Sequence, residues 1–124
     1  MNVLIADDDE AIRTLVVRLF ARRGDAVQSA ADGVAAIACL EAQHFDLLVL
    51  DLMMPRTDGF GVLSYLARRG AHRPRIIVMT AAVPALIEQV PKDLVAGVIA
   101  KPFNLAALLD LAEDACGPRA AAVH

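Results

Sequence analysis

Five short apolar runs, alternating with stretches of helical periodicity, constrain this chain more than any other feature. Val3-Leu4-Ile5-Ala6 stops at Asp7-Asp8-Asp9, and Leu47-Leu48-Val49-Leu50 stops at Asp51. Arg75-Ile76-Ile77-Val78-Met79 stops at Thr80, and Gly97-Val98-Ile99-Ala100 stops at Lys101-Pro102. Ala26-Val27-Gln28-Ser29-Ala30 is a weaker run of the same kind. Short apolar runs that end abruptly read as strands buried on both faces of a sheet. Parallel strands need long crossovers, and right-handed crossovers place helices on the sheet faces. The pattern therefore predicts an α/β fold with a five-stranded parallel sheet covered on both sides.

The intervening segments supply those helices. Ile12, Leu15, Val16, Leu19 and Phe20 recur at i, i+3, i+4, i+7 and i+8, with Arg13, Arg18 and Arg22 mostly off the stripe and Gly24 as a stop signal. Residues 33–41 form a shorter pattern through Ala36, Ile37 and Leu40. After a loop over residues 55–59, Phe60, Leu63, Leu66 and Ala67 mark a further helix ending near Gly70. A weaker pattern over residues 85–90 is cut off by Pro91, and Leu105, Leu108, Leu109 and Ala112 share one face of the last helix. The chain reads as one domain over residues 1–116, followed by a tail at 117–124 without a motif.

Composition narrows the function classes. The chain has 124 residues, 57% of them apolar and only 4% aromatic, so the core must be aliphatic, as suits tightly packed helix-on-sheet layers. The net charge is −3, and the Arg residues fall in small pairs rather than on a basic face, so no direct nucleic-acid contact is expected. Cys39 and Cys116 are isolated thiols, and the N-terminus lacks a basic region followed by a long apolar run. No stretch of about 18 uninterrupted apolar residues occurs. A cytoplasmic protein without a membrane span is expected.

In open α/β sheets, ligands bind beyond the carboxyl ends of the strands. Asp7-Asp8, Asp51, Thr80 and Lys101 all stand at such ends, so a parallel sheet would gather carboxylates, a hydroxyl and an ammonium at one edge. Crowded carboxylates raise one another's pKa, and a hard divalent cation relieves this; Mg²⁺ suits carboxylate oxygens, water and phosphate. A carboxylate beside such an ion can act as nucleophile toward a phosphoryl group, with Lys101 and Thr80 serving the oxygens on which charge accumulates. Taken singly, Asp9 is better read as a helix N-cap, Thr80 as a turn hydroxyl and Lys101 as a solvated charge. Their coincidence at four strand ends favours the shared site.

Leu4-Ile5-Ala6-Asp7-Asp8-Asp9, Leu50-Asp51-Leu52-Met53-Met54-Pro55, Thr80-Ala81 and Lys101-Pro102-Phe103 resemble, in order and spacing, the signature segments of bacterial two-component response-regulator receiver domains. The resemblance implies a flavodoxin-like doubly wound (βα)5 fold with strand order 2-1-3-4-5. It implies phosphorylation of Asp51 by a histidine kinase or phosphotransfer protein. Mg²⁺ would be held by Asp8 and Asp51 side chains, the Met53 backbone carbonyl, and Asp7 through water. Thr80, the Ala81 backbone N–H and Lys101 would bind the phosphoryl group, and Lys101-Pro102 would be a cis bond. Such a chain is its own product and not a conventional enzyme, and its output would pass through another protein.

The chain departs from the family pattern at three places. Val98 stands where the family has a switch aromatic on the fifth strand, and Pro84 and Pro91 predict a short or irregular fourth helix. Met53 and Ala82, two residues beyond Asp51 and Thr80, cannot orient an attacking water, which predicts slow hydrolysis of the phosphorylated form. Two rival readings stay open: a receiver-fold binding module that signals without phosphorylation, and a small phosphatase of the haloacid dehalogenase type. The second should carry an Asp where Met53 stands.

Overall fold

The computed structural model describes residues 1–70 and 73–117. Five strands alternate with five helices: β1 (Asn2–Ala6), α1 (Glu10–Arg22), β2 (Ala26–Ala30), α2 (Gly33–Ala42), β3 (Leu47–Leu50), α3 (Gly59–Arg69), β4 (Arg75–Thr80), α4 (Pro84–Ile87), β5 (Gly97–Ala100) and α5 (Leu105–Cys116). The strands form one parallel sheet in the order β2-β1-β3-β4-β5, the flavodoxin-like order. Residues 118–124 of the expected tail lie outside the described residues.

Strand alternation splits the core into two layers. Leu4, Ala6, Leu48, Leu50, Ile76 and Val78 pack with Leu40 of α2 and Val62, Leu63 and Leu66 of α3. Val3, Ile5, Leu47, Val49, Ile77 and Met79 point the other way, onto Val16 and Phe20 of α1 and Leu108 and Ala112 of α5. All four residues of the central β3 are 0% exposed, which explains why that run is apolar without interruption. The outer strand β5 is different: its residues alternate half-buried and exposed, and Val98 is 38% exposed. Leu15, expected on the buried stripe of α1, is 47% exposed. The stripe centres on Val16 and Phe20, and Leu15 falls on its flank.

Helix starts follow from side-chain caps. Asp9, Asp32, Asp58 and Asn104 each accept a hydrogen bond from a first-turn N–H, at 3.1, 2.8, 3.0 and 2.7 Å respectively. Each such cap contributes about 1 kcal/mol. Helix α4 has no side-chain cap, begins on Pro84 and buries none of its residues. It is a single turn, shorter than the expected 85–90 pattern, and it starts on Pro84 because proline suits the first helical position. The chain then turns before Pro91, and Val90, 5% exposed, is the anchor of this segment in the core.

The loop from β3 to α3 is packed tightly between helices. A Cβ on Gly33, the first residue of α2, would lie 1.8 Å from the Thr57 carbonyl oxygen, and one on Gly59 would lie 2.4 Å from the Asp51 carbonyl oxygen. Arg56 in this loop has φ 67°, the one non-glycine positive φ among the described residues. Left-handed backbone costs a non-glycine residue about 1–2 kcal/mol, and the ion pair that Arg56 makes with Asp32 returns about 0–1 kcal/mol. Close packing therefore holds most of the loop's shape.

Replacing Gly33 by Ala forces backbone movement at Thr57, because the obstructing atom is a carbonyl oxygen rather than a flexible side-chain end. We expect Gly33→Ala to lower stability in urea denaturation by about 1–3 kcal/mol. A variant as stable as the wild type would show that the loop does not rest on α2.

Candidate functional site

The parallel register delivers the sequence-predicted residues to one edge of the sheet. Asp7 follows β1 and Asp51 follows β3, and the Asp51 N–H donates to the Ala6 carbonyl at 2.9 Å, so the two aspartates leave the sheet side by side. Thr80 ends β4, and the Lys101 N–H donates to the Thr80 carbonyl at 2.9 Å, which fixes Lys101 at the end of β5. The Lys101-Pro102 peptide is cis, as the resemblance implies.

Burial divides the acidic residues. Asp7 is 0% exposed and Asp51 3%, whereas Asp8 is exposed at the rim. Ligand oxygens of Asp7, Asp8 and Asp51 all lie within 4.8 Å of one another. The Lys101 ammonium sits 2.7 Å from Asp7 Oδ2 and donates to Asp51 Oδ2 at 3.0 Å. Asp51 Oδ1 accepts from the Met53 N–H at 3.1 Å, and Asp7 Oδ1 from the Asp9 N–H at 2.9 Å. Asp7 Oδ2 is fully buried and has Lys101 as an ion-pair neighbour, yet it receives no aligned hydrogen bond.

Burial raises the Asp7 carboxyl above its ordinary value; Lys101 and the Asp9 N–H pull it down, Asp51 pushes it up, and the net shift is upward. Burial alone would lower the Lys101 ammonium, but Asp7 and Asp51 outweigh it and hold it above its ordinary value. With all three carboxylates ionised, one ammonium leaves two negative charges uncompensated. The donor set is all oxygen, partly open to solvent and short of positive charge, with one ammonium shared between Asp7 and Asp51. These residues fit a hard divalent cation such as Mg²⁺.

The cavity above the cluster, about 650 Å³, is lined by Asp8, Asp9, Ile12, Asp51, Met53, Ala81, Lys101 and Pro102. Thr80 is absent from its wall: the residue is 0% exposed and its Oγ1 accepts from the Ala82 N–H at 3.1 Å. Met53 is 54% exposed at the rim. Sequence reasoning missed Arg13, whose Nη1 donates to the Asp7 carbonyl at 2.9 Å and braces the β1–α1 loop. It also missed that Arg56 pairs with Asp32, Nη2 to Oδ2 at 2.7 Å. Neither contact has a sequence signal, since both join elements whose packing periodicity does not reveal. Cys39 and Cys116 are free and half-buried, away from the site, and burial pushes the Cys116 thiol up. None of the helices among the described residues is long and apolar enough to cross a membrane.

Comparison with known proteins assigns the class. The family model of the response regulator receiver domain matches residues 3–113. The chain is 40% identical over 112 residues to response regulator MprA of Mycobacterium avium, covering 88% of this chain and 48% of that protein. It is 39% identical to MprA of Mycobacterium tuberculosis, with coverage of 88% and 47%. Among solved structures, a receiver domain from Bermanella marisrubri superposes with TM-score 0.83 at 30% identity, covering 92% of this chain and 96% of that one. Vibrio cholerae chemotaxis protein CheY4 gives TM-score 0.82 at 28% identity, with coverage of 92% and 97%. The chain belongs to the response regulator receiver domain family, the signalling modules of two-component systems. It spans about half the length of the curated relatives it matches.

Removing the ammonium would leave two buried carboxylates facing each other. We expect Lys101→Met to lose about 2–3 kcal/mol of stability at neutral pH in chelator, somewhat below the ~3–5 kcal/mol for a fully buried pair. Saturating Mg²⁺ should narrow the gap by replacing the missing charge. The acid side has a defined sign: a carboxyl whose folded pKa is raised stabilises the fold below its unfolded pKa, and that contribution is lost as pH rises through the raised value. The deficit should therefore shrink as pH falls toward the usual carboxylate range. Denaturant titrations with Mg²⁺ or chelator across pH check this; a deficit indifferent to both would refute the charge argument.

Proposed function

We propose that this chain is the phosphoacceptor of a two-component phosphorelay, accepting a phosphoryl group on Asp51 from a histidine kinase or phosphotransfer protein. The observation that carries this reading is the Asp7–Asp8–Asp51 cluster with Lys101 bonded to the Asp51 carboxylate. Asp8 and Asp51 side chains and the Met53 carbonyl would hold Mg²⁺, with Asp7 acting through water. The bound ion would supply positive charge to the oxygens of the transferring group.

Asp51 is the nucleophile in this reading. One of its oxygens forms a bond to phosphorus as the bond from phosphorus to the donor imidazole nitrogen breaks, and the electron pair returns to that nitrogen. Lys101, 3.0 Å from the nucleophilic carboxylate, neutralises charge on the incoming group without reorganisation. Thr80, whose Oγ1 accepts from the Ala82 N–H, would donate its hydroxyl proton to a phosphoryl oxygen, and the Ala81 N–H would support the same group. The domain spans residues 1–116, works in the cytoplasm and contacts proteins rather than nucleic acid or membrane. Turnover of a separate substrate is not part of this role.

Val98 supports an altered output. An aromatic at that position would exchange ring orientations as Thr80 moved, whereas valine has no ring to swing. Transmission in this chain runs through the backbone after Thr80 and the one-turn α4. The same observation favours, as a second reading, a binding module that signals without phosphorylation.

Incubation with Mg²⁺ and acetyl phosphate, followed by intact-mass measurement, separates the readings. The wild type should gain a single phosphoryl mass that Asp51→Asn abolishes; no gain in the wild type would favour the binding module. The aspartyl phosphate should also decay slowly. Ala82→Glu or Met53→Asn should shorten its lifetime by orienting water, and unchanged lifetimes in both would count against this account of the rim.

A further inference from the structure

Beside the site, one loop combines backbone strain with a charged tether. Arg56 holds φ 67° without being glycine, asparagine or aspartate, the residues that ordinarily occupy this conformation. Strain of this sort persists where surroundings over-determine it, and it concentrates at functional sites. The loop is fixed on three sides. Toward the nucleophile, the Met53 N–H donates to Asp51 at 3.1 Å, and the Gly59 N–H to the Leu52 carbonyl at 3.0 Å. Toward α3, Asp58 caps the helix, and a Cβ on Gly61 would meet Thr57 Cγ2 at 2.4 Å. Toward α2, Thr57 presses on Gly33, and Arg56 Nε and Nη2 reach Asp32 Oδ2 at 3.0 and 2.7 Å.

Asp32 has two tasks at once. It caps α2 through the Ala35 N–H at 2.8 Å and holds the Arg56 guanidinium, and that cap together with Arg56 keeps its carboxyl below its ordinary value. Arg56 is 65% exposed while the Asp32 side chain is 14% exposed, so the acid is the fixed partner and the arginine the one that is captured. An exposed ion pair adds little to global stability. Its effect is local: it selects one position for a loop that also carries Met53.

We propose that the Asp32–Arg56 pair is a clasp that positions the phosphoacceptor loop, tying it to the start of α2 so that phosphoryl acceptance depends on two residues outside the site. This rests on the function proposed above. Arg56 and Asp32 are positioning residues and touch neither metal nor phosphoryl group.

The test uses variants whose effects on fold and on function part company. Arg56→Gly relieves the backbone while removing the tether, and Asp32→Asn removes the charge while retaining a competent N-cap. Arg56→Gly should keep the wild-type melting temperature or exceed it and Asp32→Asn should fall only slightly below it, yet both should slow phosphorylation by acetyl phosphate with Mg²⁺ by roughly three- to tenfold. The double variant should be no slower than the slower single one, because both changes break one interaction. Arg56→Lys should recover part of the rate, and added NaCl should narrow the gap between wild type and Arg56→Gly. Wild-type rates in the single variants, or losses that multiply in the double, would overturn the clasp while leaving the phosphoacceptor function intact. If the wild type accepts no phosphoryl group, that function falls, and calorimetric Mg²⁺ affinity judges the clasp. Weaker Mg²⁺ binding in both single variants would uphold it; equal or absent binding would overturn it.

Discussion

An ammonium placed between two buried carboxylates sets the terms on which this fold exists. Asp7 and Asp51 are almost wholly removed from water at the end of a parallel sheet, and Lys101 pairs with both of them. The arrangement is not an economical way to stabilise a domain, since two carboxylates repel, one ammonium cannot satisfy both, and the Asp7 carboxyl is pushed up by its burial. What the geometry achieves is concentration. Unfavourable negative charge is held in a cradle formed by three different loops, an arrangement that a hard cation suits.

The sheet makes this possible because it is over-supported everywhere else. Both faces of β1, β3 and β4 are covered by aliphatic side chains, and four of the five helices begin with a side-chain cap. The rigid centre keeps the ends of β1 and β3 adjacent, so Asp7 and Asp51 cannot drift apart to relax their repulsion. Support thins toward β5. There the strand shows alternate residues to solvent, and the nearby one-turn α4 buries none of its own residues.

Much of this was legible in the sequence, for identifiable reasons. The strands over 47–50 and 97–100 end in abrupt changes from apolar to polar residues, and Asp51 and Lys101 close them at the observed positions. The site residues were legible because parallel topology converts strand ends into neighbours. Leu15 was misplaced because helical periodicity identifies a stripe but not its centre, and a residue on the flank satisfies the same spacing. The Arg56–Asp32 and Arg13–Asp7 contacts were invisible for a different reason: each joins segments through a long side chain whose direction depends on tertiary packing. The burial of Thr80 behind the cavity wall likewise depends on the Ala82 backbone, which no motif describes.

The single turn of α4 changes how the domain distributes its free energy of opening. With no capped first turn and no buried side chain of its own, this segment has little to lose when it separates from the sheet, and Val90 is its main apolar attachment. Local unfolding there is thermodynamically cheap compared with disruption of β3, whose residues are all enclosed. In a longer, better-packed helix a signal must displace a rigid body. Here the segment can open at small cost, because few buried contacts are lost when it leaves the sheet.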